Sequence, residues 1–413
     1  MNILTIAFVL ALGAGTLLQI WLALRHSRYV QRHARAVPAA FSAQVSADSH
    51  ARAADYTRAK LKVEIVGLLV APAVLLVWTL GGGLELLDAA LARTIPGGLW
   101  QGMVLIGVVL LVSAVLELPL EAWRVFGIEA RFGFNRTTIR RFVTDRLLGT
   151  GLAVLLGGPL LFTVLWLMDS AGSRWWLAVW LVWMAFTLGV TWAFPRFIAP
   201  LFNRFNALEA GTLRDRLTAL LARCGFSADG IFVMDGSRRS AHGNAYFTGL
   251  GRHKRIVFFD TLMNQLEEAE LEAVLAHELG HYRRHHIHKS LALMALSSFL
   301  GLALLGWLAD QSWFYTAFGV SRPGDAMALL LFLLVVPVFM VFVQPLFGAL
   351  SRRHEFEADA FAAEHTDAGA LVSGLVKLYR ENASPLVSDP LYAAFHYSHP
   401  PPEERVARLQ GTS

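Results

Sequence analysis

His277-Glu278-Leu279-Gly280-His281 stands on a segment that opens with Glu267, Glu268, Glu270 and Glu272 and closes with Arg283 and Arg284. A run without Asp, Glu, Lys or Arg, residues 290–309, follows directly. A helix of about 20 such residues crosses a hydrocarbon core of ~30 Å. A charged helix carrying two histidines thus runs straight into a segment able to span a bilayer.

Six more runs of this kind occupy 2–24, 65–84, 94–116, 147–168, 175–195 and 326–351. The chain is 55% hydrophobic and 16% charged, against about 25% charged in ordinary soluble domains. Seven spans are therefore predicted. Arg25, Arg28, Arg32, Arg35, Arg52, Arg58, Lys60 and Lys62 lie between the first two runs, and Arg124, Arg131, Arg136, Arg140, Arg141 and Arg146 between the third and fourth. The alternate loops carry single basic residues, Arg93, Arg174 and Arg322. Basic loops mark the cytoplasmic side, so the N-terminus is expected outside, with 196–289 and 352–413 in the cytoplasm. The first run lacks a preceding basic segment and reads as a retained anchor. A net charge of +5 follows from this membrane pattern, and no nucleic-acid-binding motif is present. The lone Cys224 excludes an internal disulfide framework and a multi-cysteine metal site.

Four regions follow. Residues 1–196 hold five spans, 197–289 the first part of a soluble domain, 290–351 the last two spans, and 352–413 its second part. The expected fold class is mostly α, a polytopic membrane protein with a cytoplasmic α+β domain. Helices are predicted over 208–224, 264–286, 352–365 and 368–380, with a short one after His399-Pro400-Pro401-Pro402, and strands over 231–234, 244–248 and 255–259. The loop 25–62 reads as the most mobile segment.

His277 and His281 are four apart and share one helical face, so two imidazoles can hold one Zn2+. Glu278 then lies beside the metal's water as a general base. A catalytic zinc usually takes three protein ligands. A metzincin would carry Gly and His where Arg284 and Ile287 stand, which excludes that class. Glu355, in Arg352-Arg-His-Glu-Phe-Glu-Ala-Asp359, is the expected third ligand. Asp359, four residues on, shares its face, so one carboxylate can bind the metal while the other accepts a hydrogen bond from a ligating imidazole. Glu357 points elsewhere. His285, His286 and His288 read as solvated interfacial side chains. An intramembrane protease would place the motif inside a span, and a transporter would place charges there. Neither pattern is found.

Together with Asp235-Gly-Ser-Arg-Arg-Ser240, Gly243-Asn-Ala-Tyr-Phe247, Gly133-Phe-Asn-Arg136, Ala199-Pro-Leu-Phe-Asn203 and Ser398-His-Pro-Pro401 with Arg405, these motifs resemble the type I CAAX prenyl endopeptidases, membrane gluzincins that process prenylated proteins. The resemblance implies seven spans enclosing a chamber capped by the zinc domain, one zinc per chain and a monomeric enzyme. It implies a hydrophobic, lipidated or prenylated peptide as substrate and the bilayer as surroundings. It also implies an oxyanion-stabilising role for His399 and substrate binding by Asn244 on an edge strand. Arg405 would be a structural residue or a partner for a substrate carboxylate. HtpX-like quality-control proteases share His277–His281 and the Glu355 motif but have fewer spans and no His-Pro-Pro ending. An inactive membrane scaffold is a further alternative, although no essential group is missing. The Ala/Leu/Arg-rich composition suggests a bacterial inner membrane; a eukaryotic chain would occupy the ER or nuclear membrane.

Overall fold

The computed structural model describes residues 2–226, 230–250 and 253–411. The principal helices of the membrane half are α1 (Ile3–His33), α2 (Ala47–Trp78), α3 (Leu99–Ala122), α4 (Ile139–Ser170) and α5 (Trp175–Ala193). Strand β1 (Phe205–Ala207), helix α6 (Thr212–Arg223), and strands β2 (Gly230–Met234), β3 (Ala245–Leu250) and β4 (His253–Phe259) follow. Then come α7 (Glu268–Arg283), α8 (His286–Ala309), α9 (Asp325–Met340), α10 (Gln344–His365), α11 (Ala368–Glu381), α12 (Pro390–His396) and α13 (Pro402–Leu409). Among the described residues, six helices are long and apolar enough to cross a membrane, seven if a bent pair is counted as one span.

That pair departs from the expected straight run over 326–351. α9 stops at Met340 and α10 starts at Gln344, bent by 67°. Pro345 sits in the first turn of α10. It has no N–H to continue the α9 ladder, and its ring would strike the carbonyl four residues back. The last turns of the apolar run therefore belong to the helix that carries Glu355.

Two other expectations are corrected. The helix predicted over 264–286 is shorter. It begins at a capping box in which the Glu267 N–H donates to Glu270 Oε2 at 2.8 Å, and it ends where His285 takes a left-handed φ of 59°. The loop 25–62 is mainly helix rather than mobile coil. α1 runs on to His33, and α2 starts at Ala47 behind Ser46, whose side chain accepts from the Ser49 N–H. These polar turns bury His26, His50 and Tyr56, so packing rather than hydropathy holds them.

The sheet order is β1-β2-β4-β3, with β2 parallel to β4 and β3 antiparallel at one edge. α7 lies in a core with Leu217, Leu220, Ile256, Phe258, Phe361 and Leu371. The membrane core gathers Phe8, Leu105, Val109, Leu165, Leu305, Phe318 and Leu331. Phe8, Leu105, Leu165 and Leu305 come from the halves of their helices remote from α7, and Phe318 from the connection between α8 and α9. Nearer to it, Leu147 and Leu155 of α4 are exposed.

Candidate metal centre

α7 supplies His277, Glu278 and His281, and α10 packs along it with Glu355. The close approach depends on Gly280. A Cβ there would stand 2.9 Å from the Cα and 3.0 Å from the carbonyl oxygen of Ala358. Real Cβ atoms do not approach backbone so closely in a packed interior. The glycine within the histidine motif therefore lets Glu355 come up to His277 and His281.

Both imidazoles and the two oxygens of the Glu355 carboxylate converge on one point. His277 Nε2 is 3.2 Å from His281 Nε2, Glu355 Oε1 is 3.2 Å from His281 Nε2, and Glu355 Oε2 is 3.5 Å from His277 Nε2. Ligands at 2.0–2.1 Å around a tetrahedral zinc are separated by about 3.3 Å. Glu355 Oε2 is buried without a hydrogen-bond partner, an orphan that an ion would satisfy. Two histidines and one carboxylate form a donor set suited to zinc, and the residues fit the metal.

Each imidazole of the pair has a polar group behind it. His277 Nδ1 lies 2.8 Å from Asp359 Oδ1. Asp359 in turn accepts from Arg405 Nε at 2.8 Å and Nη2 at 2.5 Å. Arg405 is 6% exposed and also reaches Glu355 Oε2 at 3.9 Å. His281 Nδ1 lies 3.1 Å from His286 Nδ1, and His286 Nε2 lies 3.0 Å from Glu357. His286 is 4% exposed, with His354 stacked on it at 4.0 Å. The expectation that His286 is solvated is thus corrected. The turn at His285 folds it back under His281, whereas His285 and His288 are exposed. Such an outer contact fixes the tautomer and orientation of a ligand.

Burial lowers the His277 imidazole, but Asp359 and Glu355 outweigh it and hold it at about 9. A bound metal must displace that proton. Burial pushes the Glu278 carboxyl above its ordinary value, against the pull of His277 and His281. This direction suits a general base that must later return its proton.

His399 approaches from a different element. Its Nε2 is 3.5 Å from Glu355 Oε1, and its side chain is 65% exposed. Arg352, one turn before Glu355 on α10, fixes the preceding segment. Its Nη1 donates to the carbonyls of Ala393 at 3.2 Å, Ala394 at 3.3 Å and Tyr397 at 2.7 Å, capping α12. Asp389 caps the other end, accepting from the Leu391 and Tyr392 N–H groups. It also ties α12 to α1 through Arg25 at 2.7 Å, while its own N–H donates to His26 Nδ1 at 3.3 Å.

Asn244 stands outside this cluster, exposed one residue before edge strand β3, with its Oδ1 accepting from the Ala245 N–H at 2.8 Å. Phe247 on β3 lies 5.7 Å from Tyr282, next to His281. The turn before Asn244 is anchored by His242, which stacks on Phe134 at 4.3 Å and lies 3.3 Å from Glu129 and from Asn382. Tyr56 of α2 donates to Glu129 at 2.5 Å. Sequence reasoning missed His242, Glu129 and Tyr56, whose only local signal is a polar residue among apolar neighbours.

A family model described as "CAAX prenyl protease N-terminal, five membrane helices" matches residues 26–204, and one described as "Peptidase family M48" matches 207–413. The CAAX prenyl protease 1 of Saccharomyces cerevisiae is 33% identical over 421 aligned residues, covering 94% of this chain and 92% of that protein. The CAAX prenyl protease 1 homolog of Arabidopsis thaliana is 37% identical over 300 residues, 72% of this chain and 71% of that protein. The crystal structure of S. mikatae Ste24p superposes with a TM-score of 0.92 at 29% identity, covering 99% of each chain. The mostly helical fold with a membrane chamber and a small sheet domain, expected from the sequence, is the fold shared with that structure.

Proposed function

Because the chain belongs to peptidase family M48, with the N-terminal membrane domain of the CAAX prenyl proteases, we propose that this multi-pass membrane metalloprotease uses zinc to cleave lipidated peptides near their C-terminus. Prenylated peptides head the list of substrates, since the relatives across its length are CAAX prenyl proteases. In this reading the zinc domain faces the cytoplasm, which the arginine-rich stretches 25–62 and 124–146 support, and the enzyme works as a monomer. The observation that carries the reading is the triangle of His277, His281 and Glu355 with Glu278 alongside.

Zinc held there would polarise the scissile carbonyl and lower the pKa of a water towards ~7. Glu278 accepts the proton of the attacking water and passes it to the departing amine. His399, on the open side of Glu355, donates to the oxyanion of the tetrahedral intermediate. Asp359 holds His277 in its ligating tautomer, and Arg405, buried against Asp359, keeps that carboxylate charged. The buried Arg405 guanidinium suits this structural role better than contact with a substrate carboxylate. A substrate backbone adds to edge strand β3, with Asn244 at its end.

The Glu278→Gln variant is expected to retain zinc, measured by mass spectrometry of bound metal, while cleavage of a prenylated CAAX peptide falls by at least ~1000-fold. Undiminished turnover would remove Glu278 as base. Equal cleavage of the same peptide with and without its prenyl group would remove the lipid from the specificity.

A further inference from the structure

Helix α1 carries one face outward along its whole length. Leu10, Leu17, Trp21 and Leu24 are exposed on it, spaced by whole helical turns. On the same face the next residues are Arg25, Arg28 and Arg32, also exposed. The charge-free run ends at Leu24, and its 23 residues span about 35 Å of helix, close to the hydrocarbon thickness. Arg25 to Arg32 therefore occupy the headgroup layer directly below the lipid-facing stripe.

The surface there is concave. A cavity of about 320 Å³ is lined by Trp21, Leu24, Arg25, Arg28, Tyr29 and Arg32, with Asp389 on one wall. Arg25 is already engaged. It pairs with Asp389 at 2.7 Å and lies over the Trp21 ring at 5.6 Å. Among the described residues, no carboxylate pairs with Arg28 or Arg32. The pocket thus carries two uncompensated guanidiniums, which suit a phosphate in bidentate geometry. Trp21 and Tyr29 provide the amphipathic walls found where headgroups meet acyl chains.

We propose that this pocket binds the headgroup of an anionic phospholipid, with the acyl chains lying along Leu17 and Trp21. An exposed apolar stripe continuous with a cationic pocket favours a lipid over a soluble anion or an acidic peptide. The site adjoins the N-cap of α12, so the bound lipid sits one helix away from the segment that carries His399.

The test uses the full chain in nanodiscs of phosphatidylcholine and phosphatidylglycerol in equal amounts, delipidated stepwise, with retained lipid counted by native mass spectrometry. Wild-type protein should keep phosphatidylglycerol preferentially. The double variant Arg28→Gln/Arg32→Gln, both positions being exposed, should fold and bind zinc as wild type. Its preference should drop roughly 30-fold, from ~1 kcal/mol per basic residue at 1.4 kcal/mol per tenfold. Equal retention of the two lipids by wild type, or an unchanged preference in the double variant, would overturn the proposal. So would complete displacement of the retained lipid by inorganic phosphate, which would assign the pocket to a soluble anion. This measurement needs no turnover, so its outcome is independent of the assigned protease activity.

Discussion

The metal triangle and His399 meet at one carboxylate yet are built in opposite ways. Glu355 is 4% exposed and His277 9%, and both rest on helices packed so closely that only glycine fits between them. The His399 side chain is 65% exposed, on a turn held by backbone carbonyls that bond to Arg352. The groups proposed to hold the ion are fixed by the core. The group proposed to meet an incoming peptide has an exposed side chain on a fixed backbone. Rigidity at the metal and access at the histidine are separate properties, supplied by separate elements.

Substitutions can break this contrast in order of effect. Glu355→Ala removes a ligand and leaves two imidazoles facing each other. Bound zinc and peptide cleavage are both expected to vanish, as measured by metal analysis and turnover; retained stoichiometric zinc would assign the third ligand elsewhere. His399→Gln should separate the two regions, with zinc retained and kcat lower by roughly 10²–10³-fold, as for loss of an oxyanion donor. If zinc were lost as well, His399 would belong to the metal shell. Asp359→Asn should weaken zinc binding about 10–100-fold in a chelator competition, because His277 loses its charged partner. No change in affinity would detach Asp359 from the metal.

The smallest effect concerns the buried face of α7 away from the metal. Burial raises the Glu270 carboxyl, but Lys377 and Ser373 outweigh it and hold it below its ordinary 4.5. The ion pair with Lys377, at 2.8 Å, therefore stabilises the fold above that pH and is lost as pH falls through the lower folded value. Wild type should melt roughly 2–4 °C above Glu270→Gln at neutral pH, and the gap should close in acid. A gap that stays constant however far the pH is lowered while both proteins remain folded would show that packing, not charge, sets the difference.

Much of this centre was legible in advance because its residues repeat at helical spacing. His277 and His281, and Glu355 and Asp359, are i,i+4 pairs, and such pairs mark a face before any fold is known. Gly280 was unreadable for the converse reason, since its role exists only where Ala358 lies opposite. His286 looked like one of several interfacial histidines until the left-handed turn at His285 turned it inward. The seven apolar runs were visible from composition. The bend before α10 had a local sign in Pro345, but hydropathy passes across it unchanged. The helical turns within 25–62 were hidden because polar helices and polar loops have similar composition. The edge strand β3 was legible from its β-branched and aromatic residues, whereas the three-residue β1 is too short for periodicity to register.

The bend between α9 and α10 also concerns time. His277 and His281 are synthesised before α8, and Glu355 only after α9 and the turn at Pro345 have been made. A membrane hairpin therefore stands between the second and third donors. A ribosome-bound chain, or one whose last hairpin has failed to insert, holds two imidazoles with no carboxylate to close the triangle. If the three groups hold the metal as proposed, the centre can be completed only once the final spans have been made.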